Sequence, residues 1–199
     1  ANHLLEHKFS PVELVELAMA GEMVASGSRH ADNLAPCIYG GFTLVRSSEP
    51  LDIVEIACPE LYATVIHPQI EVKTSAARAM LPKDVPLAEA VRNWSNLGAF
   101  VAALTSGDLD LMARSMVDTI VEPARQALIP KFAELKAASL AAGAIGGGIS
   151  GSGPSVFMLS ESSAIAEYVR EAMNIVYGPT GIDFNTYVSR ISPHGVRVA

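Results

Sequence analysis

Gly146-Gly147-Gly148-Ile149-Ser150-Gly151-Ser152-Gly153-Pro154, running straight into Val156-Phe157-Met158-Leu159, is the stretch on which the reading of the chain turns. Its density of glycine and serine rules out a helix, and the missing side chains let the backbone approach another segment closely. They equally let it approach a phosphate, whose oxygens take exposed N–H donors. The apolar run that follows reads as a buried strand. Glycine-rich turns before strands serve packing more often than ligand binding. The loop alone therefore leaves both uses open, and other residues must decide between them.

Working outward, Ser10-Pro11-Val12-Glu13 forms a capping box, with Ser10 at N-cap, Pro11 at N1 and Glu13 at N3, that opens a helix ending near residues 23–25. Phe42–Val45 and Asp52–Ile56 read as paired strands, and Tyr62–Ile66 as a third. Lys73–Arg78 leads into a short helix stopped by Pro82, and helices are expected over 87–105, 108–119 and 123–141. After the glycine loop come a strand over 155–159, a helix over 162–177 and a closing strand over 184–191. A boundary near residue 60 splits the chain into parts 1–60 and 61–199. This order predicts an α+β fold of antiparallel strands backed by helices, in a split βαβ arrangement. The opening Ala1-Asn2-His3-Leu4-Leu5 reads as the tail of a helix already under way, so a preceding segment is expected.

Composition narrows the partners. The 199 residues are 50% hydrophobic and 18% charged, enough apolar content for a substantial core. A net charge of -7, with no run of Lys and Arg, argues against a nucleic-acid surface, and no stretch is long and apolar enough to span a membrane. Cys37 and Cys58 lack zinc spacing and sit in apolar surroundings, which fits reduced thiols in a cytoplasmic protein. A small-molecule partner is the expectation.

Several residues break local rules. Glu22 shares the apolar stripe of Val15 and Ala18 and lies near a helix C-terminus, where the macrodipole disfavours an anion, so it needs a cation: Mg²⁺, or a basic neighbour such as Arg29. Arg125 and Arg78 each read as standing in the first turn of a helix, again on the wrong side of the dipole. They could form a fork for a substrate carboxylate, or pair with surface acids, Glu122 for Arg125. Ser28-Arg29-His30-Ala31-Asp32-Asn33 places polar groups densely before the apolar run Leu34–Tyr39, as a site loop would, or as a helix cap by Asp32 or Asn33. His3, His7, His67 and His194 lack partner spacing, and Trp94 and the helical methionines read as core.

Taken together, His30-Ala31-Asp32-Asn33, Ala77-Arg78-Ala79-Met80-Leu81-Pro82, Glu122-Pro123-Ala124-Arg125 and Gly148-Ile149-Ser150-Gly151-Ser152-Gly153-Pro154 closely resemble the C-terminal two-thirds of the homoserine kinase family, within the GHMP kinase superfamily. The resemblance implies the end of a first GHMP kinase domain plus a ferredoxin-like C-terminal domain. It implies ATP-dependent phosphorylation of the L-homoserine hydroxyl to O-phospho-L-homoserine for threonine synthesis, with ATP and Mg²⁺ as cofactors. Glu22 falls at the family's metal-binding glutamate. His30, Asn33, Arg78 and Arg125 fall at homoserine-contacting positions, with the arginines on the carboxylate; Asp32 either touches substrate or braces the loop. Gly148, Ser150, Gly151, Ser152 and Gly153 form the phosphate-proximal loop. A homodimer is expected, with no nucleic acid or membrane partner. Two departures stand out: the family's Pro-x-x-x-Gly-Leu-Gly-Ser-Ser-Ala phosphate loop is absent, so the 199 residues alone should be inactive, and Lys131 stands where glycine is expected after Leu-Ile-Pro. Another GHMP-type kinase, or a non-catalytic oligomerisation module derived from one, remains the competing reading.

Overall fold

The computed structural model describes residues 2, 6, 8–27 and 29–197. The readings made of positions 1, 3–5, 7 and 28 lie outside the described residues. Two compact units are present, Ala1–Cys58 with Ile191–Ala199, and Pro59–Arg190.

In the first unit, α1 (Pro11–Ser26) starts at the expected capping box, where the Ser10 hydroxyl accepts from the Glu13 N–H and the Ser10 N–H donates to Glu13 Oε2 at 2.8 Å. These Ser10 donors hold the Glu13 carboxyl below its ordinary range. Gly27, at φ 74°, ends the helix by donating to Met23 O. Val15 and Met19 are fully buried against Ala31, Leu34, Ile38, Val45 and Ile53. The apolar run after the polar loop folds as a short helix, α2 (Leu34–Tyr39). β1 (Phe42–Ser48) and β2 (Leu51–Ile56) form the expected antiparallel hairpin, with a bulge between Val45 and Ser47.

The C-terminal segment returns to this unit, which corrects its assignment to the part spanning 61–199. The Gly41 N–H donates to Ser192 O at 2.7 Å and the Val196 N–H to Cys37 O at 2.8 Å. A Cβ on Gly195 would lie 2.0 Å from Ile38 O, so only glycine lets the two backbones meet.

The second unit comprises β3 (Tyr62–Pro68), α3 (Thr74–Ala79), α4 (Leu87–Ser106), α5 (Leu109–Ser115), α6 (Val121–Arg125), α7 (Phe132–Ala141), β4 (Gly146–Ile149), β5 (Val156–Ser160), α8 (Ser163–Tyr177) and β6 (Phe184–Arg190). The sheet order is β4-β5-β3-β6 with every neighbour antiparallel. β5 and β6 therefore run parallel on either side of β3, the split βαβ arrangement with α8 as crossover. Thr64, Ile66 and Pro68 alternate inward along β3. Ile66, Phe132, Leu135, Val156, Met158, Val169, Met173 and Tyr177 form the core between sheet and helices. Tyr177 meets Phe184 edge-on, with ring centroids 5.5 Å apart.

Three expectations change here. The helix expected over 108–119 stops at Ser115, and the one expected over 123–141 is two helices separated by the 3-10 turn Gln126–Leu128 and by Lys131 at φ 62°. Pro130 has no N–H to donate and its ring clashes with the preceding turn, so the helix must break there. Trp94 is 64% exposed rather than core. Finally, Gly146–Gly148 belong to a buried strand, not to the loop.

That strand is glycine for packing. A Cβ on Gly147 would lie 2.0 Å from Phe157 O, and one on Gly146 would lie 2.9 Å from Met116 Cβ. Gly98, mid-way along α4, has open space around it. We expect Gly147→Ala to destabilise the protein by about 3 kcal/mol or more, beyond ordinary overpacking. Gly98→Ala should stabilise it by about 0.5–1 kcal/mol through helix propensity. Urea unfolding midpoints of the two variants check both signs.

Candidate active site

The loop proper is the six-residue connection Ser150–Ser155 between β4 and β5. It is held largely by its own bonds: the Ser150 N–H donates to Ser155 O at 2.8 Å and the Gly153 N–H to Ser150 O at 2.9 Å. Gly151 at φ 58° and Gly153 at φ 83° supply the left-handed conformations that the turn needs. With those donors spent internally, Gly151 and Ser152 form the part that can approach an anion, and Gly151 is exposed. The Ser152 hydroxyl lies 3.5 Å from Thr74 Oγ1, at the start of α3. At the base of the loop, Ser155 Oγ is 2.8 Å from His67 Nδ1, so His67 has a partner that sequence spacing did not reveal.

Arg125 ties this region together. From the end of α6, its Nη1 donates to Gly151 O at 2.9 Å and its Nε to Ala77 O at 3.3 Å. One guanidinium therefore joins α6, α3 and the glycine loop, and its Nη2 amino group takes part in neither bond. Arg78 is exposed on α3, next in sequence to the buried Ala77. Both arginines stand in the last turn of their helices, not the first. The dipole therefore favours them where they are, and the argument from a misplaced charge is overturned.

The expected pairing of Glu122 with Arg125 is also replaced. Glu122 bonds Lys136 of α7, and both side chains are largely buried, at 18% and 21% exposed. Its other oxygen would lie 2.7 Å from a Cβ on Gly148, so that glycine serves the packing of this ion pair and lies outside the Ser150–Ser155 turn. Among the described residues, no ion pair takes Arg125.

Sequence reasoning missed the group that holds α6. The Asp118 carboxylate accepts from the N–H groups of Ile120 at 2.8 Å, Val121 at 2.9 Å and Glu122 at 3.0 Å, and from Asn93 Nδ2 of α4 at 3.1 Å. Asn93 Oδ1 in turn accepts from the Thr119 N–H and hydroxyl, at 3.0 and 2.9 Å. Burial pushes the Asp118 carboxyl up, but the donors from Ile120, Val121, Asn93 and Glu122 outweigh it and hold it below its ordinary range. The signal was present in the sequence: an aspartate just ahead of Val121-Glu122-Pro123 is a capping residue before a helix start.

In the first unit, Glu22 is half-buried just before the last turn of α1, about a turn beyond the buried Met19, and that last turn holds no basic residue. In the loop before α2, Ala31 is buried and anchors the chain, while His30, Asp32 and Asn33 are exposed. Asn33 occupies the N-cap position of α2 without a side-chain capping bond, so its amide is not committed to the helix. No three His, Cys, Asp or Glu side chains gather around a possible metal among the described residues. Glu22 fits Mg²⁺ as a single carboxylate, since that ion commonly takes one or two and fills its shell with water and phosphate oxygens.

Residues 100–178, which run from α4 through α8 and include the glycine turn between β4 and β5, match the model of the GHMP kinases C-terminal domain. The chain is similar to that domain over these residues. Its relatives include the homoserine kinase of Chlorobium phaeobacteroides, 46% identical over the whole of this chain and 63% of its own length. The homoserine kinase of Thermococcus kodakarensis is 43% identical over 89% of this chain and 59% of its own length. The crystal structure of homoserine kinase from Cytophaga hutchinsonii superposes with TM-score 0.94 at 50% identity, covering 98% of this chain and 62% of that one. The chain thus spans under two-thirds of the length of these relatives. L. major mevalonate kinase, at 18% identity and TM-score 0.73, shares the fold.

Because the folded Asp118 holds its proton less tightly than an ordinary aspartate near pH 3.9, its capping contributes fully above that pH and is lost as pH falls through the lower folded value. Asp118→Asn should therefore lower stability near neutral pH by about 1 kcal/mol and show a shallower loss on acidification than the parent. Thermal melts from neutral to acid pH check the convergence.

Proposed function

We propose that the chain serves ATP-dependent phosphoryl transfer to the side-chain hydroxyl of L-homoserine, giving O-phospho-L-homoserine for threonine synthesis. The observation that carries this reading is Arg125, a half-buried guanidinium held by Ala77 O and Gly151 O and bound in no ion pair among the described residues. Carbonyl bonds fix its plane without neutralising its charge, which leaves it fit to receive a carboxylate. Arg78 supplies the second positive group. The named relatives are homoserine kinases, which supports the same substrate.

His30 and Asn33 orient the amino acid, with Asp32 touching substrate or bracing their loop. The glycine turn offers Gly151 and Ser152 to the phosphates. Glu22 holds Mg²⁺, which would neutralise charge on the phosphate oxygens. In the reaction, the homoserine oxygen forms a bond to the γ-phosphorus as the bond to the ADP oxygen breaks, and the hydroxyl proton passes to the transferred phosphoryl group. No side chain need act as a strong base, because a loose transition state depends on alignment and charge more than on proton abstraction. The protein is proposed to work in the cytoplasm. A homodimer is proposed on the exposed stripe Leu87, Val91, Trp94 and Leu97 of α4, which offers a second copy a nearly uncharged helix face.

The direct test is release of O-phospho-L-homoserine from L-homoserine and ATP by a kinase containing these residues. There, Arg125→Ala should cost about 2–4 kcal/mol of apparent transition-state binding to homoserine, and the exposed Arg78→Ala toward the lower end of that range. The KM for ATP should change little in either. Unchanged homoserine kinetics in both variants would remove the carboxylate clamp.

Glu22→Gln in the same kinase should lower turnover, and excess Mg²⁺ should restore part of the loss, since the amide keeps shape but removes the charge facing the metal. A Mg²⁺ titration of kcat reads this out. The 199 residues alone should transfer no phosphate, because they lack the phosphate-loop motif whose N–H donors would hold the triphosphate. Calorimetry with ATP and Mg²⁺, together with the product assay, decides that point.

A further inference from the structure

α6 has five residues, far too few to hold a helix by its own cooperativity, yet its last residue is Arg125. What fixes its place is outside it. Asp118 accepts three successive N–H groups at its start, and Asn93 of α4 holds both Asp118 and Thr119. Asn96, on the following turn of α4, donates to Val117 O at 2.8 Å, so the segment just before Asp118 is fastened to the same helix. Glu122, the last of the three N–H donors, is tied to Lys136 on α7. The start of α6 is thus clamped between α4 and α7, and the guanidinium projects from its other end.

We propose that Asp118, held by Asn93, is the positioning residue for Arg125, and that their network sets the affinity for the carboxylate of the acceptor amino acid. The inference rests on the proposed function of Arg125. It assigns no substrate contact to Asp118: the carboxylate acts through the orientation of α6. Because the α6 N–H groups would have to find water or a poorer acceptor without Asp118, its loss lets Arg125 sample orientations that do not match a planar carboxylate.

The test is a double-mutant cycle in the homoserine-phosphorylating protein that contains these residues, with Arg125→Ala as the partner variant. Asp118→Ala should raise the KM for L-homoserine about tenfold, the worth of a lost cap expressed as affinity, with the KM for ATP within about twofold. In the Arg125→Ala background the same substitution should change the homoserine KM by less than about twofold. Asp118→Asn, which keeps an acceptor in place, should recover most of the affinity, and Asn93→Ala should show the same non-additivity with Arg125→Ala. If Asp118→Ala does not fold, Asn93→Ala with Arg125→Ala completes the cycle, and Asp118→Asn serves as the conservative control. Equal factors in both backgrounds overturn the positioning role and leave the carboxylate clamp standing, whereas no effect of Arg125→Ala itself overturns the clamp and the inference with it. In the 199-residue chain, Asp118→Ala should accelerate exchange of the Glu122, Ala124 and Arg125 amides at least about tenfold while α8 is unchanged, and unaltered exchange there would also overturn the proposal.

Discussion

The second unit is organised by how closely the β4 backbone can lie against its neighbours. Gly147 meets the main chain of β5 at a distance that no side chain allows, and Gly148 faces the carboxylate of Glu122. Once those contacts form, the β4–β5 register is set from Gly146↔Leu159 to Ile149↔Val156, and the Ser150–Ser155 turn can emerge only at one place on the sheet edge. The Glu122–Lys136 pair then determines where α6 lies over that edge. A glycine run that looks built for a ligand is in its first half a packing device, and the Ser150–Ser155 turn inherits its position from it.

The same arrangement explains the charge distribution around Arg125. A buried carboxylate needs a partner, and Glu122 takes Lys136. Had it taken Arg125, the guanidinium would be neutralised and turned away from the glycine turn. Carbonyl acceptors hold a guanidinium at lower electrostatic cost to a later anion than a carboxylate does, because they orient it without competing for its charge. Asp118 serves the complementary purpose, placing a negative charge at the start of α6, where the N–H groups favour it, and away from the end that carries Arg125.

Much of this was legible in the sequence, for identifiable reasons. The Ser10–Glu13 capping box, the first hairpin, β3 and α8 each rest on local signals that tertiary contacts reinforce. Motif order alone puts His30, Asn33, Arg78, Arg125 and the glycine turn forward as a set, and of these contacts the structure displays that of Arg125 with Gly151. What failed was reasoning from helix ends. Arg78 and Arg125 were placed in first turns because their helices were drawn too long or started too late, and the true α6 begins at Val121 under the cap of Asp118. The Trp94 reading failed because apolar periodicity cannot tell a face that meets its own core from one that meets another surface. The return of the C-terminal segment to the first unit depends on Gly40 and Gly195 approaching backbone far away in sequence, a contact no local pattern announces.

Lys131 shows how a departure from a family pattern can leave the structure intact. The residue stands in the left-handed region at φ 62°, where glycine would be at ease and a side chain costs about 1–2 kcal/mol. Glycine, however, would add about 0.5–1 kcal/mol of backbone entropy to the cost of folding. It would also remove the Lys131–Glu134 pair, whose 2.8 Å contact lies in the first turn of α7. That pair is exposed and contributes at most about 1 kcal/mol. The terms nearly cancel. The junction between α6 and α7 can therefore carry lysine without displacing either helix, because the strong constraints lie on both sides of it: Asp118 and Lys136 on the α6 start, and Phe132 and Leu135 in the core.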